Sequence, residues 1–292
     1  MRQLVCFASG GLGNRILSLL SLYLWSERLG REFVIAWTPS AECDAEFADL
    51  FELSRPGIAV VNESYIETLD DLVICADKEN ALKNLSALFG QSVLERKIEA
   101  GVPWLPTSAM ESRPRQNLVV VHDRPVRMTT NDLHGASALL RPSKAVQEVM
   151  ARLPRKVDST WTGVHYRATD RKGYPYREWR LRGLVRRGPV FVCSDDPAIE
   201  SKAAKLSGVF VLPKDAYAQK VDQKEEWSSG WNVVRSRQSV IEAVADLYVL
   251  SRTGRMLGTE SSSFFKTAKL FGGKRVHDTV APLRRLWRFF RR

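Results

Sequence analysis

Short apolar runs alternate with longer segments of helical periodicity along most of this chain. Leu4–Ala8, Phe33–Trp37, Ile58–Val61, Leu72–Ala76 and Asn117–His122 read as strands. Between the first two, Arg15 to Gly30 carries Ile16, Leu19, Leu20, Tyr23 and Leu24 on one helical face, with Gly30 as its stop. Asp44 to Phe51 predicts a short helix, and Asp77 to Glu111 predicts helix in pieces broken by Gly90, Gly101 and Pro103. Lys144 to Leu153 is again helix-periodic, with Ser143 in front of it as an N-cap. The second half repeats the alternation. Thr162–Tyr166, Val190–Cys193, Gly208–Leu212 and Arg255–Gly258 predict strands; Arg177–Arg187, Ala198–Leu206, Ser239–Ser251 and Phe264–Phe271 predict helices. Lys214 to Trp231 is polar and reads as a mobile loop.

Strands alternating with helices imply a mostly parallel sheet in each half. The polar connection Pro154–Ser159 marks a domain boundary. It separates residues 1–155 from residues 156–275, and residues 276–292 form a basic, aromatic tail. Open α/β sheets bind ligands beyond the carboxyl ends of their strands. Polar residues cluster at those ends: Gly10–Arg15, His165–Arg171, Ser194–Asp196 and Thr259–Ser263.

The stretch GVHYRATDRK at 163–172 is the densest of these. On a strand His165 and Arg167 share a face while Tyr166 takes the other. A guanidinium fork matches phosphate oxygens bidentately, and Asp170 is placed to steady it; the alternative is a solvated Asp170–Arg171 pair at a surface strand end. Ser9 to Asn14, SGGLGN, is a glycine-rich turn between strand and helix. Ile16 stands where the dinucleotide fingerprint needs its third glycine, and the Lys-Ser/Thr pair of a Walker A loop is absent. Gly11 and Gly13 either only permit the turn or let a ligand approach the backbone, with Asn14 or Arg15 pointing at it.

Charge narrows the partners. A net charge of +11 favours phosphates, nucleotides, nucleic acid or an anionic membrane. The arginines are scattered, and no zinc finger, RNP signature or basic heptad is present, so a nucleotide-sized ligand is expected rather than nucleic acid. Hydrophobic residues at 44% and charged residues at 26% fit an ordinary globular protein. Cys6, Cys43, Cys75 and Cys193 lie far apart, mostly in apolar runs, and predict buried free thiols rather than disulfides or a zinc site. With no cleavable leader and no apolar run long enough to span a bilayer, a cytoplasmic location is expected.

GGLGNR at 10–15, LRPS at 140–143, HYRATDR at 165–171, SDDP at 194–197 and ADLYVLSRTGRMLGTESSSF at 245–264 resemble, in this order, the shared motifs of the α-1,6-fucosyltransferases. That superfamily includes the rhizobial nodulation fucosyltransferase and the protein O-fucosyltransferases. The resemblance implies a GT-B fold, α/β, with two Rossmann-like domains facing a central cleft and the donor held mainly by the second. It also implies a GDP-sugar donor, usually GDP-fucose, and inversion without a metal or other cofactor. By position Arg167 corresponds to the arginine on the donor's β-phosphate, with His165 and Asp170 as its motif companions. Asp195 and Asp196 match an acidic pair, Asp246 an aspartate on the following helix, and Ser261 and Ser262, with Ser263 beside them, the serines near the diphosphate. The sequence departs at Ala168, where many of these enzymes have a second arginine. It departs again at Arg171, where a lysine is common, and at Pro175, where animal enzymes have a glutamate.

Chemistry and resemblance agree. Breaking a glycosyl–phosphate bond leaves negative charge on the diphosphate, which cations and helix N-termini stabilise. Arg167, with Arg171 or Lys172, can supply the cations, and Ser261 and Ser262 precede a helix. The acidic residues serve the donor, the framework or, less readily, the general base. The expected activity is transfer of a sugar, most simply fucose, to a glycan or lipid-linked oligosaccharide in bacterial polysaccharide synthesis. The alternatives are another nucleotide sugar, or an inactive binding protein of the same fold. In the tail, Leu283, Leu286, Trp287 and Phe290 share a helical face flanked by arginines, so it either lies on an anionic membrane or packs back on the protein.

Overall fold

The computed structural model of the chain describes residues 2–76, 104–105, 116–122, 128–168, 176–220, 233–259, 261–273 and 277–278. The chain divides into two compact units between Arg141 and Pro142.

The first unit runs through β1 (Gln3–Ala8), α1 (Leu12–Leu29), β2 (Glu32–Trp37), α2 (Phe47–Leu50), β3 (Phe51–Leu53) and β4 (Ala59–Val61). After a 3-10 segment at Glu63–Thr68 come β5 (Leu72–Ala76), β6 (Trp104–Leu105), β7 (Asn117–His122), α3 (Thr130–Ser137) and β8 (Leu140–Pro142). Six strands form a parallel sheet in the order β4-β2-β1-β7-β5-β6. A parallel sheet is covered on both faces, which is why its inner strands read as unbroken apolar runs. Val5, Phe7, Val34, Ala36, Ile74, Val119 and Val121 close one side of its core.

Several elements differ from the pattern of the sequence: Trp104–Leu105 is strand β6 inside a stretch predicted as helix, and helix α3 corresponds to no predicted element. Helix α1 begins at Leu12, because Gly10 takes φ 77 and Gly11 becomes the N-cap, so the turn closes sooner than the apolar face starts. The helix predicted over 44–51 contracts to α2. The rings of Phe47 and Phe51 pack against Trp37, and Phe51 leaves the helix to start β3. Most of the pieces predicted over 77–111 lie outside the described residues.

The second unit contains α4 (Lys144–Met150), β9 (Thr162–Tyr166), α5 (Glu178–Val185), β10 (Val190–Ser194), α6 (Pro197–Ala204) and β11 (Val209–Val211). A short antiparallel pair comes next, β12 (Gln219–Lys220) with β13 (Val233–Val234). Then come α7 (Arg237–Arg252), β14 (Arg255–Leu257), α8 (Ser263–Gly272) and β15 (His277–Asp278). Its parallel sheet is β11-β10-β9-β14-β15. Ser143 caps α4 by accepting from the Val146 N–H at 3.2 Å, as its type predicts. Helix α4 packs on α7, so it belongs to the second unit, although the polar stretch Pro154–Ser159 comes after it.

All four cysteines are free and buried, as expected. Among the described residues no helix is long and apolar enough to cross a membrane. The predicted tail helix lies outside the described residues.

Candidate functional site

Strands β9, β10, β11 and β14 are parallel neighbours, so their carboxyl ends fall along one edge of the second sheet. The segments leaving those strand ends are therefore brought together although far apart in sequence. Along β9 the side chains alternate as predicted. Tyr166 enters the core against Tyr176, and His165 and Arg167 both line a pocket at the strand end. That pocket contains about 600 Å³ of empty space, part of it open to solvent.

His165 forms one wall. Its ring stacks on Phe264, centroids 4.9 Å apart, and lies nearly parallel to Phe265. Gly258 makes this packing possible: a Cβ there would come within 2.8 Å of the Phe265 ring and 3.2 Å of the His165 carbonyl oxygen. Arg167 Nη1 donates to Ser262 Oγ at 3.3 Å. Ser262 is buried and is the N-cap of α8, its Oγ accepting from the Phe265 N–H. A guanidinium thus sits at a helix N-terminus, where backbone N–H groups and the helix dipole already favour an anion. Ser263 opens α8 and is half-buried, while Ser261 is exposed.

The acidic pair splits. Asp195 lines the pocket, and its Oδ1 accepts from the Ala168 N–H at 2.7 Å, fixing the backbone just after Arg167. Asp196 instead caps α6, accepting from the Ala198 N–H at 2.8 Å. Asp246, on α7, is buried and lines the same pocket. Its Oδ2 lies 2.6 Å from Lys214 Nζ, while among the described residues its Oδ1 has no hydrogen-bond partner. Burial, with the nearby Glu200 charge, pushes the Asp246 carboxyl up to about 7 against the pull of Lys214. Burial acts to lower the Lys214 pKa, but Asp246 and Glu200 overcome it and the ammonium is held charged.

Sequence reasoning did not single out Lys214, Glu200 and Tyr217. The polar pattern predicts a mobile loop at Lys214, yet its side chain is only 5% exposed and Nζ lies 2.5 Å from Glu200 Oε1. One signal could have found it: Lys214 comes after a strand, the same position that distinguishes Arg167 and Asp195.

In the first unit the glycine turn has a different character. Arg15 is fully buried. Its Nε donates to the Gly10 carbonyl oxygen, Nη1 to that of Thr38 and Nη2 to Ser40 Oγ, each at 2.7 Å, and the guanidinium lies 4.9 Å over the Trp37 ring. Gly11 caps α1, Gly13 is buried in its first turn, and Asn14 is half-buried beside Gly10. Asp170 and Arg171 lie outside the described residues.

No family model matches the chain, and no curated protein is similar to it in sequence. Solved structures are similar throughout. NodZ α-1,6-fucosyltransferase soaked with GDP-fucose has a TM-score of 0.55 at 17% identity, over 92% of each chain. The fucosyltransferase NodZ from Bradyrhizobium has a TM-score of 0.59 at 16% identity, over 96% of each chain. POFUT1 in complex with GDP-fucose has a TM-score of 0.53 at 14% identity, over 95% of this chain and 97% of that one. The chain has the fold of these proteins, α/β of the GT-B class, as the motifs implied.

Proposed function

We propose that this chain is an inverting, metal-independent glycosyltransferase that transfers fucose from GDP-fucose to a glycan or lipid-linked oligosaccharide. The observation that carries the proposal is Arg167 at the N-terminus of α8, hydrogen-bonded to its cap Ser262, in a pocket that Asp246 also lines. The arginine suits a diphosphate and the carboxylate a base.

In this reading the donor's diphosphate lies between Arg167 and the first N–H groups of α8. As the bond from the anomeric carbon to the phosphate oxygen breaks, the electron pair goes to that oxygen. The guanidinium and the helix dipole then stabilise the growing charge, already oriented before the reaction starts. Asp195 keeps the Arg167–Ala168 backbone in place, and His165, held by Phe264, shapes the pocket wall. The acceptor hydroxyl attacks the opposite face of the anomeric carbon and inverts it, its proton passing to water. Asp246 Oδ1 accepts an N–H of the guanine. Asp170 and Arg171 follow Arg167 in sequence and complete the motif.

Incubation with a panel of nucleotide sugars tests the proposal. Slow hydrolysis of GDP-fucose above the others, undiminished by excess EDTA, is expected. Loss of activity in EDTA with rescue by manganese would overturn the metal-free mechanism. Preference for a UDP- or ADP-sugar would overturn the donor. Ala168, where related enzymes carry a second arginine, favours a second reading: a binding protein without turnover. GDP binding without hydrolysis or transfer of any donor would select it.

A further inference from the structure

Among the buried charges of the second unit, Lys214 stands out because nothing in the diphosphate chemistry uses it. An ammonium has three N–H donors. Those of Lys214 go to Glu200 Oε1 at 2.5 Å, Asp246 Oδ2 at 2.6 Å and the Ser194 carbonyl oxygen at 3.1 Å. None remains for a phosphate, although Lys214 lines the pocket. Glu200 is equally complete: Oε1 also accepts from the Ser194 N–H at 2.6 Å, and Oε2 accepts from the Tyr217 hydroxyl at 2.6 Å. The group left over is Asp246 Oδ1, buried and without a partner among the described residues. An unsatisfied buried carboxylate oxygen is costly unless a ligand supplies the donor.

The lysine is itself held in place. It comes directly after Pro213, and the next two backbone N–H groups, of Asp215 and Ala216, donate to Glu242 at 2.7 and 3.0 Å. Glu242 is buried one helical turn before Asp246 on α7. One helix therefore carries both the carboxylate that pins the turn and the carboxylate that the turn's lysine orients.

We infer that Lys214 is a positioning residue for base recognition, holding Asp246 through Oδ2 so that Oδ1 is left as an acceptor and guanine is taken over adenine. The inference rests on the proposed GDP-sugar donor and its guanine contact at Asp246, and adds the residue that orients that carboxylate. Guanine presents N1–H and an amino group on its pairing edge, both donors to a carboxylate. Adenine presents a bare N1 there, whose lone pair would face Oδ1. The cluster sets one ammonium against two carboxylates, so removing Lys214 favours a protonated Asp246, while removing the Glu200 charge favours an ionised one. Cys193 of β10, Glu200 of α6 and Glu242 of α7 surround Asp246 in the interior. His165, Asp195, Tyr217 and Arg235 share its pocket.

The test is calorimetric titration of GDP and ADP into the intact chain, Lys214→Met and Glu200→Gln, from the acid to the alkaline side of neutrality. The two nucleotides carry the same diphosphate, so the ratio of their affinities cancels phosphate ionisation. The unaltered chain is expected to favour GDP, more so as pH rises. In Lys214→Met the neutral-pH ratio should fall about tenfold or more, with its rise displaced to higher pH. In Glu200→Gln the rise should move to lower pH. Pyrophosphate affinity, set by Arg167, should hold in both. An unmoved ratio and profile in folded Lys214→Met would make the lysine a structural tie and overturn the inference. If that variant does not fold, an unmoved Glu200→Gln profile overturns it. Equal affinity of the unaltered chain for GDP and ADP overturns base selection while leaving the diphosphate site standing. Binding of neither nucleotide removes the donor reading and this inference with it.

Discussion

Arg15 and Arg167 come after equivalent strands, one in each unit, at the carboxyl edge of a parallel sheet. Their fates differ. Arg15 is fully buried and spends its guanidinium on Gly10, Thr38 and Ser40. Arg167 is half-buried, donates to the cap of α8 and lines a pocket. A sheet edge gathers polar residues whether or not a ligand is bound there. What separates a structural arginine from a binding one is where its donors end: on framework oxygens in the interior, or at a helix N-terminus beside a pocket.

The largest expected effect comes from the structural side. Arg15→Ala leaves the Gly10 and Thr38 carbonyl oxygens without their buried donor and opens a void under Trp37. It should cost about 3–5 kcal/mol of stability, read as a lower midpoint in urea, while the folded fraction keeps its GDP affinity. A stable Arg15→Ala variant with lost GDP binding would reverse the comparison and make the glycine turn a ligand loop.

Arg167→Ala should do the opposite. Losing a charge-assisted bond to the diphosphate costs roughly 1.5–3 kcal/mol of binding, about a ten- to hundredfold weaker GDP affinity. Its unfolding midpoint should barely change, since a half-buried guanidinium at a pocket wall contributes little to the core. Unchanged GDP affinity by calorimetry would remove Arg167 from the site.

Taken per pH unit, the smallest effect is that of Asp246. Asp246 is pushed up to about 7 in the folded chain, whereas an unfolded aspartate titrates near about 3.9. Between those values the folded state holds more protons, so this group's contribution to stability is greatest below the lower value. It declines as pH rises through the window and levels off above the upper one. The slope is at most about 1.4 kcal/mol per pH unit. Asp246→Asn should flatten it in a series of urea titrations; an unchanged slope would show that Asp246 is ionised throughout the window.

Most of the strands were legible in the sequence because a parallel strand, buried on both faces, must be continuously apolar: Thr162–Tyr166, Leu72–Ala76 and Asn117–His122 match residue for residue. Helix bounds were less so. Gly10, Gly11 and the aromatic contact of Phe51 with Trp37 decided them, and those are turn geometry and tertiary packing. The alternation that puts His165 and Arg167 on one face was also legible, since it is a property of any strand. The fate of each polar residue was not. Asp195 and Asp196 are neighbours of one type, yet one braces the backbone after Arg167 and the other caps a helix.

Sequence by itself thus determined the alternation of strand and helix, the parallel sheets and the strand ends where polar groups would gather, because burial and backbone periodicity act locally. Only the tertiary structure decided that Arg15 is internal and Lys214 is buried. It also left Asp246 Oδ1, among the described residues, as an acceptor still without a donor. A hydrogen-bond partner is chosen by proximity in space, and residues as distant in the chain as Arg167 and Ser262, or Lys214 and Asp246, meet only once the sheet has set their strand ends side by side.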